Sequence, residues 1–288
     1  MIQATPRTVP IAERCRVLQV ARSGYYAWCR RPRSERTQAD ALLLQRIRTI
    51  HLESKARYGR VRIHRELRAQ GIRCGQKRVG RLLRTAGLRA VYPRPYRVTT
   101  HGSVSAAAAN CLAQRFEVAA HPRLNQTWTA DLTYLWTGEG WLFLAVILDL
   151  ASRRVVGWAL RSRMDQELTL TALQMAMAQR RLSGRGPRLH HSDRGLQYTA
   201  TAYQTTLERA GFATSLSRRG NCYDNAVTES FFATLRKELV HRTTFATRTQ
   251  AQREVIAFIE GWYNRRRRHS SLDYRSPVEY EQEVHGEH

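Results

Sequence analysis

The 288-residue sequence contains no apolar run long enough to cross a membrane. The longest run is WLFLAVIL at residues 141–148, well short of the roughly 18 residues that a membrane-spanning helix needs. The first residues, MIQATPRTVPIAERC, lack the continuous apolar core of a secretory signal peptide. These absences exclude a membrane-spanning helix and predict a folded protein of the cytoplasm.

Cysteine is scarce and follows no pattern. Five cysteines are scattered along the chain without CxxC spacing. They therefore indicate neither a cysteine zinc site nor a disulfide framework, and they fit a reducing compartment.

Acidic residues are also scarce, because 23 Asp and Glu oppose 48 Lys and Arg and leave a formal net charge of +25. Residues 1–100 contain 24 basic and 5 acidic side chains, net +19, so the remaining residues contain 24 and 18, net +6. Arginine binds phosphate through two hydrogen bonds, and neutralised phosphates release counterions. The excess in the N-terminal third therefore predicts a polyanionic partner, with nucleic acid as the leading candidate.

Helical periodicity dominates residues 37–91, which follow a basic N-terminal segment at residues 1–36. The segments RVRIHRELRAQGI and QKRVGRLLRTAGL predict a helix-turn-helix. In the second helix Lys77, Arg81 and Arg84 share the face opposite the apolar stripe. We predict that these three residues contact DNA, since such a helix enters a DNA groove. A solvated basic face on an ordinary helical hairpin is the alternative.

Strand patterns begin after a linker at residues 92–123 that contains Pro, Gly, Ser and an alanine run. Three apolar segments separated by the turns TGEG and DLASR predict three antiparallel strands, and helices then alternate with strands up to residue 240. This order is typical of a ribonuclease-H-like α/β domain, a mixed five-stranded sheet flanked by helices, over residues 124–240. Residues 241–288 are predicted to form a C-terminal helical extension.

Three carboxylates fall at strand ends or helix starts of this predicted domain. Asp131 lies in the first strand, Asp193 follows the fourth strand, and Glu229 lies early in the last helix. Taken singly, each is explained as a turn aspartate, a capping group or a solvated helix glutamate.

Taken together, the three match the signature of a known family. Thirty-five residues separate Asp193 from Glu229, in the contexts HSDRGLQY and DNAVTESFFATLRKE. This arrangement resembles the DDE signature of transposases and retroviral-type integrases, and more narrowly the second-frame product of the insertion-sequence-three family. The helix-turn-helix segment, LDLASRRVVGW and YNRRRRHSSLDYRSP also resemble that family, nearly continuously from residue 20 to residue 280.

The resemblance implies a DNA transposase that cuts element ends and joins them to target DNA by a two-metal mechanism. Asp131, Asp193 and Glu229 would be both catalytic and metal-binding residues, with Mg²⁺ as cofactor and Mn²⁺ as a substitute. Two hard cations activate the attacking oxygen and stabilise the leaving oxygen of a phosphodiester, and Mg²⁺ prefers oxygen ligands. The three carboxylates supply ligands of this kind.

Further DNA contacts are predicted around the carboxylates. The family has a basic residue seven positions after its glutamate, which here is Arg236. Arg194 follows Asp193, and the basic loop before the glutamate helix contains Arg218 and Arg219. Asn225 shares the helix face of Glu229 and Arg236. A solvated arginine without a DNA target is the alternative for Arg236.

Two other functions remain open at this point, a DNA-binding regulator with an inert core and a ribonuclease-H-type nuclease without strand transfer. The intact carboxylates argue against the first, and the two terminal segments argue against the second. By resemblance, the partners are element-end and target DNA, further copies of the chain on DNA, and the product of an upstream frame, alone or fused by frameshifting. The location would be the bacterial nucleoid.

Three other features have competing interpretations. The adjacent His190 and His191 suggest a zinc site, but neighbouring strand residues point to opposite faces, so packing for His190 and the rim of the active site for His191 are preferred. For Asp149, a role in the turn or as a partner of an arginine is favoured over a role as a metal ligand. The run RRRRH at residues 265–269 is either a DNA-backbone strip or a solvated tail.

Overall fold

The computed structural model describes residues 10–32, 34–91, 118–121, 123–180, 182, 187–217 and 226–286. The chain divides into two compact units, Met1–Arg89 and Ala90–His288. Most of the predicted linker, together with the candidates Arg218, Arg219 and Asn225, lies outside the described residues. Within the described ranges, no helix is both long and apolar enough to span a bilayer.

The described part of the first unit is helical, as the periodicity predicts. Its helices are α1 (Ile11–Val17), α2 (Arg22–Arg30), α3 (Glu35–Glu53), α4 (Arg60–Ala69) and α5 (Gln76–Thr85). Ser34 begins α3 by accepting a hydrogen bond from the Thr37 amide at 3.3 Å. Gly71 ends α4 with a φ of 77°, a conformation that costs glycine little and allows the turn into α5.

Helix α5 buries one face and exposes the other. Val79, Leu82 and Leu83 are buried, and they pack in a small core with apolar residues of α3 and α4. Lys77, Arg81 and Arg84 are all exposed. The predicted amphipathic face is therefore present, with its cations accessible to a ligand.

The second unit contains one mixed sheet of five strands. They are β1 (Thr127–Thr137), β2 (Gly140–Asp149), β3 (Val155–Arg161), β4 (Arg188–Ser192) and β5 (Phe212–Leu216). The spatial order is β3-β2-β1-β4-β5, in which β1, β2 and β3 are antiparallel neighbours and β4 and β5 run parallel to β1. The predicted ribonuclease-H-like α/β class is confirmed.

Helices cover both faces of the sheet. They are α6 (Gln166–Gln179), α7 (Leu196–Thr199), α8 (Thr201–Arg209), α9 (Ala226–Glu238), α10 (Arg248–Ile256), a π-helical segment (Ala257–Tyr263) and α11 (Pro277–Gly286). Trp128 and Ala130 of β1 form a core with apolar residues of α6, α7 and α8. Helix α6 lies so close to β3 that a Cβ on Gly157 would come within 2.2 Å of the Ala172 carbonyl oxygen.

The C-terminal segment, predicted as a helical extension, packs on the sheet. The Asn264 side chain both donates to and accepts from the Val155 backbone at 3.0 Å. Glu281 of α11 pairs with Arg154 at 2.6 Å and with Arg180 at 2.5 Å. These arginines lower the pKa of Glu281 against the opposing effect of burial, so the buried ion pairs join the C-terminal segment to the sheet.

Candidate active site

Asp131 lies on β1 just beyond the last residue that β4 pairs, since the β1–β4 register runs from Thr127 to Thr129. Burial is the main cause that raises the pKa of Asp131 to about 7, and the hydrogen bond from the Leu132 amide at 2.7 Å opposes this rise. The charges of Asp193 and Glu229 raise the pKa further. All three predicted carboxylates therefore meet in one region, although 98 positions separate the first from the last.

Asp193 follows the carboxyl end of β4 and shapes the turn into α7. Its Oδ1 accepts a hydrogen bond from the Gly195 amide at 2.9 Å. The neighbouring Arg194 donates from Nε to the Ser217 carbonyl at 3.0 Å, which connects the ends of β4 and β5. Arg194 thus has a structural partner, and its predicted DNA contact stays a prediction.

Glu229 lies in the first turn of α9, which docks against the Asp131 face of β1. The buried hydroxyls of Thr228 and Thr129 form a short hydrogen bond between the two elements. Because Thr129 is two residues before Asp131, both lie on one face of the strand. This docking brings Glu229 toward Asp131.

Arg236 follows Glu229 by two turns and lies on the same side of α9. Its Nη2 donates to the Thr133 hydroxyl at 3.5 Å, and its charge opposes the raised pKa values of Asp131 and Glu229, which burial causes. Phe231 and Leu235 of the same helix are buried, whereas Arg236 is exposed. The exposed guanidinium of Arg236 is therefore available beside Asp131 and Glu229.

Two threonine contacts were missed at the sequence level. Thr129 and Thr133 flank Asp131 at i−2 and i+2 on its strand face, and Thr228 directly precedes Glu229. The alternation of the strand is the signal that would have found them.

Asp149 stands apart from the carboxylates and closes the turn between β2 and β3. It is fully buried and accepts hydrogen bonds from the amides of Asn125 at 2.5 Å, Ala151 at 2.8 Å and Ser152 at 3.3 Å. Burial is the main cause that raises its pKa to about 6. The turn interpretation is supported, whereas Arg154 pairs with Glu281 instead of Asp149.

The two histidines of β4 are both buried, and each forms its own hydrogen bonds. His190 Nε2 contacts the Tyr203 hydroxyl at 2.9 Å, and burial lowers its pKa to about 3. His191 contacts the hydroxyls of Ser215 at 2.9 Å and Ser217 at 3.1 Å. The prediction that His191 lies at the rim of the site is wrong, because its side chain is fully buried and both ring nitrogens contact serine hydroxyls.

No three His, Cys, Asp or Glu side chains within the described ranges form a ready-made metal shell. The charges of Asp193, Glu229 and Arg236 all act on Asp131, so the site combines three carboxylates with one cation. Lys77, Arg81 and Arg84 belong to the first unit. There, Asp40 accepts a hydrogen bond from Arg81 Nη2 at 2.6 Å.

Models of known protein families match both the helical first unit and the sheet-containing second unit. An HTH-like domain matches residues 37–96, and two integrase core domain models match residues 121–222 and 210–277. The chain is 41% identical over 275 residues to transposase InsF for insertion sequence IS3A of Escherichia coli K12, covering 93% of this chain and 92% of that protein. The chain belongs to the IS3 family of transposases.

A second relative of this IS3-family transposase is the insertion element IS600 uncharacterized 31 kDa protein of Shigella sonnei. It is 42% identical over 273 residues, covering 94% of this chain and 98% of that protein. The first integrase core match contains Asp131 and Asp193, and the second contains Glu229. The protein is a DNA transposase, and the interpretation as an inert regulator is not favoured.

Two solved structures also resemble the IS3-family chain. One is the simian T-cell lymphotropic virus intasome in complex with PP2A regulatory subunit B56 gamma, at 13% identity and TM-score 0.44, covering 75% of this chain and 69% of that chain. The other is the HTLV-2 integrase catalytic core domain in complex with magnesium, at 14% identity and TM-score 0.40, covering 54% and 95%.

Proposed function

We propose that Asp131, Asp193 and Glu229 are the catalytic carboxylates of this transposase and that they bind divalent cations, Mg²⁺ or Mn²⁺, during cleavage of element ends and strand transfer. The observation that carries the proposal is the electrostatic coupling of the three groups: the charges of Asp193 and Glu229 raise the pKa of the buried Asp131. Like charges held together in this way fit a cation that neutralises them.

The donor chemistry also fits hard cations, because all three groups are carboxylates and Mg²⁺ prefers oxygen ligands. When bound, such ions activate an attacking oxygen and stabilise the leaving oxygen of a phosphodiester. Asp131, Asp193 and Glu229 are the residues that would hold these ions. Oxygen atoms of the substrate phosphate and of water would complete the coordination of the cations.

The remaining residues of the site position DNA. Arg236 presents an exposed guanidinium beside Glu229, and a guanidinium binds phosphate oxygens through two hydrogen bonds. Arg194 orients the turn that contains Asp193. We assign Arg236 to the transferred strand, and Arg218, Arg219 and Asn225 to the same DNA path on the basis of their sequence positions.

The first unit would supply a separate DNA-binding surface. Lys77, Arg81 and Arg84 on α5 present three exposed cations on one face of a helix-turn-helix. Phosphate contacts of this type add affinity that weakens with salt. We further propose that the chain acts at the nucleoid of a bacterial cell, together with the product of an upstream frame. Co-purification of the two products from cells that express both would test this partnership.

The test of the active site is Glu229→Gln, with Glu208→Gln as a matched control on the exposed side of α8. Glu229→Gln should abolish cleavage and joining of element-end DNA with Mg²⁺ or Mn²⁺, because the amide removes one anionic ligand. Binding of the same DNA should stay within twofold. Titration of Mn²⁺ should show weaker metal binding in Glu229→Gln only. Strand transfer by Glu229→Gln at the rate of the control would contradict the assignment of Glu229 as a catalytic residue.

A further inference from the structure

Three exposed aromatic side chains pack together at the end of the β1–β2 hairpin. Tyr134, Trp136 and Trp141 are 64%, 60% and 45% exposed. The Trp141 ring meets Tyr134 edge to face at 5.0 Å and Trp136 at 4.8 Å, measured between ring centroids. Trp136 and Trp141 are also directly paired across the two strands. We call these three residues the hairpin aromatic cluster.

The cluster belongs neither to the core nor to the candidate active site. Tyr134 and Trp136 follow the alternation of Trp128 and Ala130, so they lie on the sheet face opposite Asp131. Trp128 and Ala130 are covered by α6, α7 and α8, whereas Tyr134 and Trp136 remain exposed. Exposed aromatic groups that touch one another are a common mark of a binding surface.

The border of the cluster contains both signs of charge. Tyr134, Phe143 and Arg161 lie in one row across three strands, and Arg161 pairs with Asp165 at 3.4 Å and Glu167 at 2.9 Å.

At the turn of the hairpin, Glu139 accepts a hydrogen bond from the Arg248 amide at 2.9 Å. The border therefore combines three acidic residues with the side chains of Arg161 and Arg248, in a chain with twice as many basic as acidic residues. Phosphates would meet repulsion from these carboxylates, so this border favours a protein partner over DNA.

We propose that the hairpin aromatic cluster is the contact between two copies of this chain, related by a two-fold axis. A two-fold contact joins a patch to itself, and a patch with an apolar centre and a border of both charges can complement itself. Because +19 of the net charge of +25 lies in residues 1–100, the part of the chain that contains the cluster opposes a second copy only weakly. Tryptophan and tyrosine are also the side chains that most often dominate contact energies.

The test uses the full chain at 0.3 M salt in sedimentation velocity across protein concentration. The variants are Trp136→Ser and, as control, Leu52→Ser on α3, where the leucine is 75% exposed. The wild type and Leu52→Ser should dimerise equally, whereas Trp136→Ser should weaken the dimer at least ~30-fold, the loss typical of a central tryptophan. If Trp136→Ser fails to fold by circular dichroism, Trp141→Ser is measured in its place.

Two results would overturn the proposal. One is a wild-type chain that stays monomeric up to ~100 μM, a concentration at which a specific contact of this type forms. The other is an unchanged dimer in Trp136→Ser. A tenfold loss of affinity for a single-stranded oligonucleotide in that variant, without a change in dimerisation, would assign the cluster to unpaired bases instead.

Discussion

Arg267→Ala tests whether the basic run at residues 265–269 stabilises the fold or contacts DNA. Arg267 is buried, and its Nε pairs with Glu238 at 3.1 Å, while Trp262 donates to the other Glu238 oxygen at 2.9 Å. At 3.1 Å and an effective dielectric constant of about 20, the attraction is about 5 kcal/mol, partly offset by desolvation. Truncation removes the guanidinium that pairs with the buried Glu238, so the free energy of unfolding should fall by about 3–5 kcal/mol.

The assay is thermal and urea unfolding, with Arg265→Ala as the control because Arg265 is exposed in the same run. Arg267→Ala should lower the melting temperature by about 10 °C, since 1 kcal/mol corresponds to about 2–4 °C in a unit of this size. Arg265→Ala should lie within about 0.5 kcal/mol of the wild type. Equal stability of the two variants, with a reduced salt dependence of DNA binding in Arg267→Ala, would refute the reasoning.

Three further substitutions test other parts of the structure. Burial lowers the pKa of His190 from 6.5 to about 3, so between these pH values the unfolded chain binds one more proton than the folded chain. The free energy of unfolding therefore decreases as pH falls through this range. His190→Asn should flatten this decrease in urea unfolding, and an unchanged pH dependence would contradict the prediction. Gly157→Ala should destabilise the fold by about 1–3 kcal/mol, because the added Cβ would collide with the backbone of the neighbouring helix. Gly261 has open space around it, so Gly261→Ala should be neutral or stabilising in the same unfolding measurements. Equal effects of the two substitutions would exclude the close contact at Gly157. Arg81→Ala should reduce the slope of log affinity for DNA against log salt concentration by about 1. The control is Asp40→Asn, which releases Arg81 from its ion pair and should not lower the slope. A wild-type slope in Arg81→Ala would show that Arg81 does not contact DNA.

The order of the elements and the face of α5 were predictable from the sequence. The period of apolar residues identifies Val79, Leu82 and Leu83 as buried and leaves Arg81 exposed, because helix geometry alone places them. The strand alternation likewise places Asp131 opposite Trp128 on β1. These properties are local, so residues within a few positions of one another are sufficient to predict them.

Charge alone did not separate the arginines of the C-terminal run. Arg265 and Arg267 have identical side chains two positions apart, yet Arg265 is exposed whereas Arg267 is buried and pairs with Glu238 of α9. The prediction for His191 was wrong because its partners, Ser215 in β5 and Ser217 just after it, follow more than 20 residues later in the chain. Such contacts depend on which elements become neighbours in the sheet.

The sequence by itself determined the chemistry of this transposase: three carboxylates, an excess of arginine and an order of helices and strands. Tertiary structure decided what each charged or aromatic group experiences, since burial and neighbouring charges arise from long-range packing. It raised the pKa of Asp131 mainly by burying this carboxyl group, and further through the charges of Asp193 and Glu229. It also left Trp136 and Trp141 exposed at the end of a hairpin, although tryptophan is a side chain that proteins usually bury in large part.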